Sequence, residues 1–578
     1  MPDTAPTDPI LALVHQGWDH LKLRRPVAAW ASWQLALRLQ PGQEAAAHAL
    51  DVLAGAGDLP AAARVEYRFL TPADPARRAS WDLRFQGRDL EQLDQAAGAF
   101  AALAEADPGD SHARFNQGLC LAWLGRNAES VAALDLAVRG MAGAEPETAV
   151  QAWALAEVLR QGAGAEALAD DLNHVATIAW TPGDNPSGFL DGLPEVRPLP
   201  APIDPITGRP VLGGAGLAEW LDGALDEGSA TLRRVLATVV RLPGSLRLSG
   251  PDPVLLEDVV EEVRRAVGPG IASIRREATP LPLAFLDAAV WAVRMPPGLD
   301  DEARAMLNRS AVERYYEATW IHRARQGLDG RTPAEAGRLA RGGDAVASVK
   351  LRAVVLVREQ LGARPTTLAL YQAYPFDLLR RRLGLEPVDP LAIDPQDAAS
   401  MSGPELDALD PSVLDDYLLA DAYESAAALG EDARTARFAG ALAGRDPATL
   451  ARLDRRALFA TLVRDALAGG TLDEAIRHLD RAQEVDSALS GGDRRTFETW
   501  KAEASVRLGA PARAVAFYRG LLAEEPDPAF ALEAAEFLLD ADLTDEARAL
   551  AVEALELGIE QGEAEVVDRA RALLLDDR

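Results

Sequence analysis

One cysteine, Cys120, in 578 residues leaves no disulfide framework and no cysteine-built zinc site within the chain. That scarcity matches a reducing compartment. Histidine is also rare. His15, His20, His48, His112, His174, His322 and His478 form no His-x-x-x-His or Glu-x-x-His set, so the usual helical metal sites are excluded. No apolar run reaches the ~18 residues a membrane-spanning helix needs. The opening residues MPDTAPTDPI have neither the basic nor the apolar region of a secretory leader. Positive charge is in deficit. The chain has 59 Lys and Arg against 89 Asp and Glu, a net charge of −30, which argues against nucleic acid as the partner of the whole surface. No phosphate loop of the GxxxxGK(S/T) or GxGxxG type follows a strand, and there is no GxSxG elbow. The expectation is a cytoplasmic protein with no cofactor, no metal, no membrane contact and no catalytic constellation.

What is present is a recurrence of small residues. The first instance has Gly17, Ala29, Trp33, Ala36 and Pro41. The second has Ala63, Tyr67 and Pro75, and the third Ala96, Phe100 and Pro108. A fourth has Gly118, Gly125, Leu134 and Ala137. Toward the other end, Gly470, Ala475 and Ala482 are followed by Gly509, Ala514, Tyr518 and Pro526, and then by Ala535, Ala547 and Ala554 in the same phase. Helices approach closely only where Gly or Ala replaces a bulky side chain, a large residue then fills the gap to the next pair, and proline stops the second helix.

This pattern resembles the tetratricopeptide repeat (TPR), a helix–turn–helix unit of about 34 residues. Three positions depart from it: Arg24 where Gly is usual, and Asp51 and Arg84 where a small residue is usual. The resemblance implies an all-α protein, with two TPR-like α-solenoid arrays flanking a non-repeat helical domain. The expected divisions are an N-terminal array at 1–168, a Pro/Gly-rich linker at 169–216, a middle helical domain at 217–390, a loop at 391–411 and an acidic C-terminal array at 412–578. The linker carries WTPGDNPSGFLDGLPEVRPLPAPIDPITGRPVLGGAG. HVATIAW before it and RPVLG near its end have the composition of short strands able to pair, but the segment as a whole reads as extended chain over the surface. In the middle domain, GLAEWLDGALDEGSATLRRVLATVV and DPVLLEDVVEEVRRAVG read as helices.

Charge is uneven. From Glu524 to Arg578 there are 17 acids and 4 bases, whereas from Ala303 to Leu383 there are 15 Lys or Arg and 7 acids. An acidic tail of this kind is expected to face a cationic ligand or the basic middle. That middle holds WIHRARQGLDGRTPAEAG, Trp320 to Gly337. Its Thr332–Pro333–Ala334–Glu335 has the form of a capping box. The stretch is similar to one in the toxin-binding domain of Xre/MbcA/ParS-type bacterial antitoxins, where a Trp-bearing helix leads through a Leu-Gly-Gly-x-Thr/Ser-Pro turn into another helix. Asp329 replaces the first Gly, and no helix-turn-helix unit precedes it.

Two functions follow. The first is a non-enzymatic scaffold that binds peptide or helical segments of protein partners in superhelix grooves. The second is a regulator whose basic middle domain binds a toxin-like partner or nucleic acid. The candidate partner-binding residues are Trp320, Arg323, Arg325, Arg331, and the basic run Arg380, Arg381 and Arg382 beside Tyr371, Tyr374 and Phe376.

Overall fold

The computed structural model describes residues 8–575 apart from 58, 72–77, 79–89, 171, 182–185, 201–215, 226–231, 281–292, 364–373, 387–392 and 491–493. Pro75, Arg84 and Tyr371 lie outside the described residues. The chain divides into two compact units, residues 1–387 and 388–578. Among the described residues, no helix is long and apolar enough to cross a membrane.

The first unit opens with α1 (Pro9–Lys22), α2 (Pro26–Leu39), α3 (Glu44–Ala54), α4 (Leu93–Ala106), α5 (Ser111–Trp123), α6 (Asn127–Met141) and α7 (Pro146–Leu159). Sequence neighbours pack together: α1 on α2, α4 on α5, α5 on α6 and α6 on α7. The starts are encoded locally. Asp8 accepts from the Ile10 amide at 2.9 Å with Pro9 following it, and Asp110 accepts from the Ala113 amide at 2.9 Å. Pro41 and Pro108 stand just past the ends of α2 and α4. Between α1 and α2, a Cβ on Gly17 would run into the Trp33 ring. The Trp33 indole N–H donates to Val14 O at 3.0 Å. Between α5 and α6, a Cβ on Gly118 would lie 2.9 Å from Leu134 Cγ, and Ser130 Oγ donates to Gly118 O at 2.6 Å. Ala29, Ala36, Ala96, Phe100 and Ala137 are all buried. Gly125 follows α5 at φ +74°, in the left-handed region that closes helices.

The second recurrence departs from helix. Ala63 ends a short 3-10 turn, Ala61–Ala63, and Tyr67 lies in the extended segment after it. The turn is anchored by side chains rather than by a helix, the Ala62 amide donating to Gln360 Oε1 at 2.8 Å. Tyr67 Oη donates to Ala62 O at 2.8 Å, and Asn116 of α5 clamps Leu70, accepting from its N and donating to its O at 2.8 and 2.9 Å.

The middle of the unit is not all-α. A seven-stranded antiparallel sheet occupies the expected linker and the start of the expected helical domain. Its strands are β1 (Leu172–Trp180), β2 (Val196–Leu199), β3 (Gly216–Leu221), β4 (Arg233–Leu242), β5 (Ser245–Gly250), β6 (Ile271–Pro280) and β7 (Val293–Arg294). The order is β2-β3-β4-β5-β1-β6, with β7 pairing the start of β4. Two stretches read as one helix, GLAEW and RRVLATVV, are instead adjacent strands with Ala218 opposite Val239. The reason is side-chain alternation: Ala237 and Val239 face the core while the β-branched Thr238 and Val240 face away, a period of two rather than 3.6. Pro243–Gly244, with Gly244 at φ +76°, makes a two-residue link that pairs Leu242 with Ser245. HVATIAW is strand, as its composition suggested, but it pairs with β5 and β6. RPVLG lies outside the described residues.

Helix α8 (Pro253–Val267) is the DPVLLEDVVEEVRRAVG run, and it covers one face of the sheet. Val259, Val260 and Val263 are fully buried against Ile178, Val239 and Leu248. Each such valine contributes on the order of 1.5–3 kcal/mol.

The unit closes with α9 (Asp301–Arg314), a π-turn at Tyr315–Thr319, α10 (Pro333–Arg341), α11 (Ala345–Gly362) and α12 (Phe376–Arg382). Val312, Trp320, Leu328 and Val354 share one continuous core with Leu155 and Val158 of α7. The early and late parts of this unit are therefore packed as one body.

The second unit starts at residue 388, and its first described elements lie inside the expected loop. A 3-10 turn, Pro395–Ser400, and α13 (Gly403–Ala408) bury Ala398, Met401 and Leu406 there. Ser402 and Glu405 form a capping box at the start of α13. Next come α14 (Asp416–Ala428), α15 (Asp432–Ala443), α16 (Pro447–Leu450), α17 (Arg455–Ala468), α18 (Leu472–Ser490) and α19 (Arg494–Arg507). The unit ends with α20 (Pro511–Glu524), α21 (Pro528–Asp540), α22 (Thr544–Gln561) and α23 (Ala564–Leu575). Gly470 and Gly509, at φ +71° and +70°, separate α17 from α18 and α19 from α20. Ala475, Ala482, Ala514, Tyr518, Ala547 and Ala554 are buried, and Pro526 follows α20.

Candidate interaction sites

The Trp320–Gly337 stretch is a buried joint. Trp320 is fully buried, with the Arg325 guanidinium 4.7 Å from its ring centroid. Arg325 is itself buried and lies 3.9 Å from Asp170. The turn after it closes through Gly330 N to Arg325 O at 2.9 Å, and Arg325 N donates to Arg331 O at 3.0 Å. Asp329 sits at φ +57°, the conformation that favours the glycine of the resembled motif. Its carboxylate explains the exception: it lies 2.6 Å from Lys350 Nζ and 3.1 Å from Arg139. From α7, the Trp153 indole donates to Gly327 O at 2.8 Å. Glu157 of the same helix lies so close that a Cβ on Gly327 would strike its carboxylate. Burial pushes Glu157 up to about 7. Arg160, 3.1 Å away, opposes that shift, while Asp170 adds to it.

The other expected contact residues are also engaged within the fold. Arg323 lies 3.3 Å from Asp252. Arg380 binds Glu359 at 2.6 Å and Glu386 at 3.2 Å, and it also pairs with Asp377. Arg382 is buried 3.9 Å from Glu317, and Arg381 is half-buried. Arg331 is exposed, 3.8 Å from Asp329. The expectation that Trp320, Arg325 and Arg382 present a binding surface is corrected, because the hydrophobic core and nearby carboxylates claim them. Among the described residues, no cluster of three His, Cys, Asp or Glu side chains is placed to hold a metal ion. Cys120 is buried.

An open site lies in the second unit, where α17, α18 and α19 enclose a cavity of 380 Å³. Its apolar lining comes from Phe459, Val463 and Leu467 on α17, Leu479 on α18, and Phe497 and Trp500 on α19. Phe497 and Trp500 are three residues apart, so they share one helix face. Their rings meet edge-to-face at 5.4 Å and 85°. Trp500 remains 38% exposed, which is unusual for so large an apolar group. Arg455, also on the wall, lies 3.4 Å from Asp486. Arg456 and Arg507 are exposed at the rim, with no carboxylate partner among the described residues. The helices around the cavity are locally basic: Arg434 to Arg519 carry 15 Lys or Arg and 11 acids. Lys501, on the buried side of α19, feels burial first, but the hydrogen bonds it donates to Asp480 and Glu498 prevail and hold its ammonium above the usual range.

No family model, no curated protein and no solved structure matches the chain. None of the expected partner-binding residues lines this groove. The available signal was Phe497-x-x-Trp500, an aromatic pair on one helix face beside Arg494, Arg495 and Arg507.

Proposed function

We propose that the protein is a non-enzymatic scaffold. Its helix hairpins stack as TPR-like arrays, and a partner is gripped in the α17–α19 groove. The occupant is a short helical or extended segment that presents one or two large apolar side chains flanked by carboxylates. The observation that carries this reading is the half-exposed Trp500 over an apolar floor, rimmed by the cations Arg456 and Arg507. Aromatic residues and arginines of this kind dominate binding energy where water is excluded around them, and paired charges fix orientation and raise the association rate. The regulator reading has less support, since carboxylates within the fold accompany most of the basic residues it relied on.

A random peptide display library selected on the full chain tests the proposal. Apolar–acidic sequences are expected to be enriched, and their retention should fall at least tenfold on Trp500→Ala and on Arg456→Glu. Enrichment that is indifferent to both substitutions refutes it.

A further inference from the structure

We infer that a cleft between the α1–α2 hairpin and the start of α4 is a second binding site, which takes the main chain of an extended peptide of neutral or basic sequence. This goes beyond the α17–α19 groove: it belongs to the other unit, and its charge preference is the reverse.

The cleft measures 370 Å³, and its floor is formed by Leu13, Leu35, Leu90, Leu93 and Trp123. Trp123 is only 4% exposed, and its indole N–H has no acceptor among the described residues. Buried donors in native proteins are almost always paired, so an orphan beside a cavity points to a missing acceptor. A second orphan stands close by. His20 lies one turn beyond Gln16, whose amide is 3.5 Å from its Nε2, and its buried Nδ1 also lacks a partner. Burial, and then the charge of Arg25, hold this ring below the usual histidine range, and with Gln16 at Nε2 its Nδ1 is the one position left open. A third feature is the start of α4, at the mouth of the cleft. Gln92 makes no side-chain cap there, so the first-turn amides of Leu93, Asp94 and Gln95 are left without intrahelical acceptors.

These donors call for oxygen acceptors, yet the rim excludes anions. Glu91 and Asp94 both line the cleft. Asp94 is 3.6 Å from Arg126, while Glu91 has no cationic partner among the described residues. A free carboxylate or phosphate would meet two like charges. Peptide carbonyls are neutral acceptors, and they arrive with N–H donors. Gln16, Gln92 and Gln95 line the cleft with amides that both donate and accept, as such a chain requires. A Lys or Arg on the peptide would find Glu91.

The test is peptide display selection on the full chain, repeated on Trp123→Phe, which keeps the ring and removes the N–H, and on Trp500→Ala. The expected result is a family of neutral or basic peptides whose retention drops about tenfold on Trp123→Phe and does not respond to Trp500→Ala. Glu91→Lys, at the exposed rim, should strip Lys and Arg from that family. The inference is overturned if no selected peptide senses Trp123→Phe, or if those that do are acidic. The α17–α19 reading fails separately, through indifference to Trp500→Ala.

Discussion

The ammonium of Lys350 rests 4.3 Å from the centroid of the Trp153 ring. It is 1% exposed, lies 2.5 Å from Asp135 and 2.6 Å from Asp329, and lies on α11, whereas Trp153 lies on α7. One cation thus ties together an aromatic ring, a helix carboxylate and a left-handed turn drawn from segments far apart in sequence.

Removing that cation is expected to be costly. Lys350→Met removes the buried partner of Asp135 and Asp329 and leaves them only the exposed cations Arg139 and Arg331. Breaking a buried pair typically costs about 3–5 kcal/mol. Both carboxylates are about a quarter exposed, so roughly 2–4 kcal/mol is expected after discounting for solvent screening. Denaturant unfolding of the first unit's transition should show it. A change below about 0.5 kcal/mol contradicts the arrangement.

Glu157 gives the first unit an acid-side stability term. Its carboxyl is pushed up to about 7 by burial, from an ordinary 4.5. A carboxyl whose folded pKa is raised holds its proton more tightly in the folded state. Its contribution is therefore complete below about pH 4.5 and is lost as pH rises toward 7. Glu157→Gln should flatten this part of the profile and raise stability above neutral pH, by at most about 3 kcal/mol. Melting temperature measured across that range, on both proteins, decides it. Parallel profiles would show that Arg160, Arg325 and Arg358 keep the carboxylate ionised throughout.

Among the described residues, three other than glycine occupy left-handed backbone: Arg24, Asp329 and Asp542, at φ +56°, +57° and +61°. The side chains of Arg24 and Asp542 are exposed. Arg24→Gly and Asp542→Gly should each stabilise by about 1 kcal/mol, because glycine adopts this conformation without the Cβ clash. Asp329→Gly should do the opposite, since it takes from Lys350 and Arg139 one of the two carboxylates they share and leaves them Asp135 alone. Equal effects at all three positions would remove the special role given to Asp329.

Thr332 accepts from the Glu335 amide at 3.2 Å, and Glu335 accepts from the Thr332 amide at 2.7 Å. Thr332→Ala should cost about 1 kcal/mol, as loss of a helix cap usually does. Thermal unfolding suffices to measure it.

Local signals were readable in the sequence where they were strong. The Thr332 box, the helix-ending Pro41, Pro108 and Pro526, and the small residues Gly17 and Gly118 at close crossings all follow from chemistry within a few residues. The irregularity at Arg24 marks a position that does adopt positive φ. The sheet was hidden because β3 and β4 are rich in Ala and Leu and lie among helices of the same composition. The two-residue alternation through Val235, Ala237 and Val239, and the Pro243–Gly244 link, were the evidence against helix. The fate of Trp320 and Arg325 was not legible, because burial by Trp153, Asp170 and Glu157 depends on segments about 150 residues away. The groove at Trp500 needed three helices in place before one aromatic pair could be told from ordinary core.

β1, the earliest strand in the sequence, lies inside the sheet, and both of its neighbours, at 245–250 and 271–280, come later. During synthesis Leu172–Trp180 therefore leaves the ribosome with bare edges on either side and waits for about a hundred further residues before it is flanked. Chaperone dependence of this protein should centre on that interval, and a stalled chain ending near residue 250 should be the species most prone to clump.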